Sequence, residues 1–167
     1  MNARSLACVA LLAACAHSDQ ASAQIPDAIA APGQLIATLH AEGAQIYECK
    51  ADSSSGKLTW QFREPIATLL VAGKTVGRHY AGPNWEHIDG SAVTAKAAAN
   101  VPAQSPKDIP WLRLDVTGQR GGGILTAATT VQRVNTQGGG LEGACDRAGT
   151  YQSVPYSADY LFVRKGG

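Results

Sequence analysis

The chain reads as all-β: an antiparallel β-sandwich or barrel of roughly eight to ten strands, with an N-terminal signal segment ahead of it. Three observations predict this. Short segments along most of the chain alternate apolar and polar residues with a period of two. Eighteen glycines and eight prolines punctuate 167 residues, which calls for many tight turns. Helix signals are thin, confined to Ile36–Gly43 and the Ala-rich Ser91–Val101, and the Val and Thr content of the second suits a strand equally.

The elements follow in order. In Gln45–Ala51, Ile46, Glu48 and Lys50 share one face and Tyr47 and Cys49 the other. A turn at Ser53–Gly56 leads into Leu58–Phe62, where Leu58, Trp60 and Phe62 face one way and Thr59 and Gln61 the other. This is the alternation of a sheet with one wet face. Thr68–Gly77 reads as two short strands around Ala72-Gly73-Lys74. Ile109–Val116 sets Trp111, Arg113 and Asp115 against Leu112, Leu114 and Val116. Ile124–Val134 is rich in branched residues, and Ala158–Lys165 is the last strand, with Tyr160 and Phe162 opposite Leu161 and Val163. No internal repeat and no domain boundary interrupt the pass.

The N-terminus sets the compartment. Arg4 precedes an apolar run from Leu6 to Ala14, the length of a signal-peptide core and too short to span a bilayer. Two processing readings stand side by side. Ala21-Ser22-Ala23 ahead of Gln24 is a small-x-small cleavage site, giving a signal peptide of residues 1–23. Leu12-Ala13-Ala14-Cys15 resembles a lipobox, giving a leader of residues 1–14, a lipid anchor on Cys15 and a tether over 15–33. In both, residues 34–167 form a single β-domain, exported to the periplasm, anchored at the outer membrane or secreted. No later window is apolar enough for a transmembrane span.

The formal net charge is +1, and no Lys/Arg cluster stands out, so nucleic acid is not an expected partner. Beyond the leader only Cys49 and Cys145 remain. In an oxidising compartment two such cysteines are expected to pair; two free thiols are the alternative. Neither sits in a zinc-type CxxC or CxxH pair.

Chemistry concentrates in Gly77–Ser91, "GRHYAGPNWEHIDGS", read as a loop between strands because Gly82, Pro83, Asn84 and Asp89-Gly90 are turn residues. His79, Glu86, His87 and Asp89 are candidate catalytic groups. They are also ligand types for a divalent metal, although no spacing such as HExxH supports one and no cofactor is expected. No GxSxG elbow accompanies Ser91. Binding asks for less: Tyr80 and Trp85 beside Asn84, Glu86 and Asp89 offer a stacking face with hydrogen-bonding neighbours, suited to a glycan or a small planar molecule. In Val131–Gly140, Gln132 and Arg133 interrupt an apolar strand and Asn135 precedes a glycine turn; an arginine on a half-buried strand needs a partner. Glu86 or Asp89 could supply it internally; a ligand carboxylate or phosphate is the other reading.

The linked blocks "YECKA", "WQFREPIATLL", "GRHYAGPNWEHIDGS", "IPWLRLDV" and "VQRVNTQGG", followed by Cys145, resemble domain-of-unknown-function family 3455 over about Gln34 to Val163. The resemblance implies an exported single β-domain in a group of bacterial and fungal proteins with no established reaction, and it adds no catalytic residue. The expectation is therefore an exported binding module for a small ligand or glycan. A hydrolase or metal-dependent enzyme using the His79–Asp89 segment is the alternative, and a structural envelope protein the third reading. An enzyme should bring His79 and a carboxylate together, a binding module should expose Trp85 beside a groove, and a structural protein should bury it.

Overall fold

The computed structural model describes residues 24–166; the expected signal segment of residues 1–23 and the lipidation candidate Cys15 lie outside the described residues. Eight strands form one closed antiparallel barrel in chain order: β1 (Gln34–Ala51), β2 (Leu58–Val71), β3 (Lys74–Tyr80), β4 (Asn84–His87), β5 (Ala92–Val101), β6 (Trp111–Arg120), β7 (Thr130–Gly138) and β8 (Tyr151–Arg164). Both segments whose helix or strand character the sequence leaves open are strands, in β1 and β5. Sandwich or barrel resolves to barrel because β1 pairs with β8 from Gln34↔Arg164 to Glu48↔Tyr151 and closes the sheet. No helix among the described residues is long and apolar enough to cross a membrane.

Alternation sorts the side chains. On β1 the buried positions are Leu39, Ala41, Gln45, Tyr47 and Cys49; on β8 they include Tyr156, Ala158, Tyr160 and Phe162. Residues directly opposite one another across a sheet share a face, so register carries this interior around the barrel. Gly43, Ala67, His79, Trp85 and Val93 lie opposite one another across β1 to β5, and Leu39, Tyr160, Arg133 and Leu112 across β1, β8, β7 and β6. Gly43 is required there: a Cβ would sit 2.0 Å from the Ile66 carbonyl oxygen and 2.7 Å from the Ala67 Cβ.

Alternation breaks where β1 and β2 shift register between Ile46 and Tyr47. Arg63 becomes the extra residue of a bulge; Phe62 keeps the face of Leu58 and Trp60, with its ring edge-on to Tyr47, yet is 55 % exposed. Similarly, Ile124–Ala127 is a 3₁₀ turn, and β7 starts only at Thr130. That turn lies across one end of the barrel, touching β1, β5, β6 and β8, with Leu125 fully buried. Asp89 accepts the Ile124 amide (2.8 Å) and the Ser91 hydroxyl accepts the Leu125 amide (3.2 Å), fastening the plug to the β4–β5 turn.

At the other end the β5–β6 and β7–β8 connections lie together. Asp108 accepts the Gly138 amide at 2.5 Å, and the Tyr47 hydroxyl donates to the Gly139 carbonyl at 2.7 Å. The Cys49–Cys145 disulfide forms, with Cα atoms 5.9 Å apart. It ties the β7–β8 connection to the end of β1, and backbone bonds from the Trp60 amide to Gly143 and from the Cys145 amide to Leu58 join the same connection to the start of β2. The segment before β1 also docks: Ile29 is fully buried and its carbonyl accepts Gln132 Nε2 at 2.6 Å, so this part of the expected 15–33 tether packs on the barrel.

Bridging residues 96 apart closes a long loop, which the chain-entropy model credits with about 4–5 kcal/mol. Replacing both cysteines by serine should lower the unfolding free energy by roughly 3–5 kcal/mol in denaturant titration. A loss below ~1 kcal/mol would show that the sheet closure alone sets stability.

Candidate functional site

The barrel wall has a notch. β3 pairs with β2 only over Ala67–Val71, and β4 with β5 only over Ala92–Thr94. On that side Gln61–Ile66 of β2 and Lys96–Val101 of β5 face each other without a strand between them, because the β3–β4 hairpin turns at Ala81–Pro83. A cavity of about 370 Å³ opens there into the barrel interior. Phe62, Arg63 and Pro65 flank it on one side, Ala97 on the other, and Gly82 and Pro83 at the hairpin tip. The buried part of the lining is Gln45, His79, Trp85, Leu114 and Tyr160, with Arg133 half-buried beside them.

His79 and Trp85 sit opposite one another on β3 and β4 and stack with ring centres 4.4 Å apart at 12°. Tyr160 meets both, at 4.9 Å and 5.2 Å. His79 is 3 % exposed, and its Nδ1 lies 2.8 Å from the Asn84 carbonyl oxygen. A carbonyl only accepts, so Nδ1 carries the proton and Nε2 is left as an acceptor. Burial pushes the His79 pKa down to about 3, and the Arg133 charge pushes the same way, so the ring is neutral. Burial raises the Tyr156 and Tyr160 hydroxyls, which lie 3.4 Å apart, and both stay protonated.

Arg133, half-buried, adds a positive charge to this lining. Its Nε and Nη2 donate to one carbonyl, that of Pro110, at 3.1 and 2.8 Å. No carboxylate among the described residues pairs with it. Two further donors in the surrounding core, Gln45 Nε2 beside Tyr156 and Trp85 Nε1, are buried without a hydrogen-bond partner.

The segment singled out in the sequence is thus two strands and a tight turn, and its side chains divide between the two faces of the wall. His79 and Trp85 point inward; Trp85 is 1 % exposed and forms no rim platform. Tyr80 and Glu86 lie outside, where the Tyr80 hydroxyl, Arg78 and Arg120 all donate to the Glu86 carboxylate. Those donors, Arg120 first, hold its pKa below the usual carboxylate range. His87 and Asp89 approach at 3.1 Å. Burial pushes the Asp89 carboxyl up, but Ser91, the Ile124 amide and His87 outweigh it and hold it low.

Neither Glu86 nor Asp89 therefore serves as the internal partner of Arg133. The Ser91 hydroxyl donates to Asp89 and is fully buried, so no imidazole activates it. Asn84 acts through its backbone carbonyl on His79 and its side chain on Thr94. Asn135 points away from the cavity: it takes a positive φ of 52° at a register shift in β7, and its amide donates to Asp159 at 2.8 Å. His79 meets no carboxylate, and among the described residues no three His, Cys, Asp or Glu side chains gather as a metal-binding group. Sequence reading passed over Gln45 and Tyr160 as site residues. A signal for Gln45 existed, since it shares the parity of Tyr47 and Cys49 and so interrupts the core-facing side of β1 with an amide.

The chain belongs to the family described as a protein of unknown function (DUF3455), whose model matches residues 29–164. No curated protein and no solved structure matches it.

His79 predicts an acid-labile core. Its folded pKa lies below the ordinary value near 6.5, so its contribution is whole above pH 6.5 and is lost as the pH falls from there toward 3. Unfolding free energy should drop by up to about 1.4 kcal/mol per pH unit from this group in that window. His79→Phe, which keeps a ring against Trp85, should flatten that slope in denaturant titrations at stepped pH. An unchanged slope would assign the acid sensitivity to the carboxylates instead.

Proposed function

We propose that this family member is a binding module for a small, mainly apolar molecule held inside the barrel, and that the Tyr80–Asp89 outer surface is not the ligand site. The observation that carries the reading is the cavity of about 370 Å³ walled by Trp85, His79 and Tyr160 and reached through the notch. Pockets for small organic ligands have this size and this mix of aromatic walls with a few polar groups. A long glycan fits less well, because the aromatic faces are turned inward rather than presented along an open groove. Among the described residues no carboxylate contacts His79, which weighs against the proton relay of the hydrolase reading.

The buried Trp85 is also what a purely structural envelope component would have. A chain selected for packing alone would be expected to fill the space between Leu114 and Trp85 and to pair Arg133 internally. Export is part of the proposal. It is supported by the disulfide, a bond kept in oxidising compartments, and by the leader-like N-terminal sequence. Chain recovered from a reducing cytoplasm with Met1 in place would contradict it.

Thermal-shift screening with small aromatic and aliphatic compounds should yield stabilising hits, since a ligand at a hundred times its Kd adds about 2.7 kcal/mol. Those shifts should vanish in Ala97→Trp, which fills the notch, and persist in Tyr80→Phe on the outer face. Hits that survive Ala97→Trp and disappear in Tyr80→Phe would move the site to the outer surface.

A further inference from the structure

We infer that the cavity is built for a ligand with a single carboxylate, gripped by Arg133, on an otherwise apolar body. This deepens the cavity reading and rests on it. The register places Arg133 inside: it stands opposite Leu112 on β6 and Tyr160 on β8, both of which line the same space. Of the five N–H donors of a guanidinium, two are spent on the Pro110 carbonyl and one faces the Tyr160 hydroxyl, which leaves two uncommitted. A half-buried cation without a counter-charge is costly, and the planar donor fork matches a carboxylate better than any other common anion.

The charge count sets the valence. The neighbours of Arg133 in the buried part of the lining, Gln45, His79, Trp85 and Tyr160, are neutral, with His79 kept so by burial. The other arginine of the lining, Arg63, is at the mouth, where Glu64 pairs with it at 3.2 Å and its guanidinium lies over the Tyr151 ring. One positive charge therefore remains to be met, and one negative charge meets it. A phosphate monoester, with close to two charges near neutral pH, would leave the excess buried. The rest of the ligand faces the rings of Trp85 and Tyr160 and the side chains of Leu112 and Leu114.

The experiment is isothermal titration of the mature, disulfide-bonded chain near neutral pH with matched pairs: 2-naphthoate and 2-naphthamide, decanoate and decanamide, with 2-naphthyl phosphate as a third arm. At least one acid should bind more tightly than its amide by roughly 10- to 100-fold, the range of a charge-assisted hydrogen-bonded pair. Arg133→Gln should remove that preference by weakening the acid far more than the amide, with Arg133→Lys between Arg133→Gln and the unmodified chain because it keeps charge and loses the fork. Should Arg133→Gln fail to fold, the acid-to-amide ratio of the unmodified chain decides alone. Equal binding of acid and amide overturns the carboxylate assignment, as does tighter binding of the phosphate or an acid preference untouched by Arg133→Gln. If binding in those cases still vanishes in Ala97→Trp, the cavity reading survives. No binding of any acid or amide overturns both.

Discussion

Everything in this fold follows from the closure of β1 onto β8. Closing an eight-stranded antiparallel sheet forces each strand to send alternate side chains into one narrow interior, which side chains usually fill. The circle is completed here by a ladder running from Gln34↔Arg164 to Glu48↔Tyr151. The other strands are not all long enough to match it. β3 and β4 have seven and four residues, against eighteen in β1 and fourteen in β2. The notch is the consequence: the wall is complete near the Leu125 plug and interrupted beside Phe62 and Ala97. Its flanking edges are blunted by local chemistry. Pro65 has no amide to offer, and the bridge between Thr59 and Ala144 covers the start of β2.

The interior is consequently a mixture of core and site. Below the notch Leu39, Leu69, Val93 and Phe162 pack as an ordinary apolar core. At the notch the same inward positions carry Gln45, His79, Tyr160 and Arg133. Two of these groups have settled states: His79 is a neutral ring tied to a backbone carbonyl, and Tyr160 a protonated hydroxyl. Arg133 has no answering carboxylate among the described residues, which gives the pocket its polarity. The outer cluster around Glu86 is a different kind of feature. Its arginines are exposed and both pair with Glu86, and such surface pairs add little to stability.

Much of this was legible in the residues. Period-two alternation locates the strands, and the parity of Tyr47 with Cys49 and of Tyr160 with Phe162 sorts inside from outside. The cysteine count points to the bridge that forms. What alternation cannot register is a bulge, and the extra residue at Arg63 switches the inward positions of β2 from Leu58, Trp60 and Phe62 to Pro65, Ala67 and Leu69. Nor can it locate short strands made of turn-forming residues. Gly77–Ser91 looked like a loop because of its glycines, Pro83 and Asn84, yet His79 and Trp85 sit within strands, paired to each other. The need of Arg133 for a partner was readable from its place in an apolar strand. That Glu86 and Asp89 would be engaged elsewhere depended on which face each occupied, and Asn135, two residues along, turns outward only because β7 shifts register there.

A crystal structure of the disulfide-bonded protein grown with 2-naphthoate would test the central claim most directly. The account predicts the ring system in the notch cavity against Trp85 and Tyr160, with both carboxylate oxygens within hydrogen-bond distance of Arg133. A cavity filled by the protein's own side chains, or Arg133 paired with a carboxylate of its own chain, would contradict it.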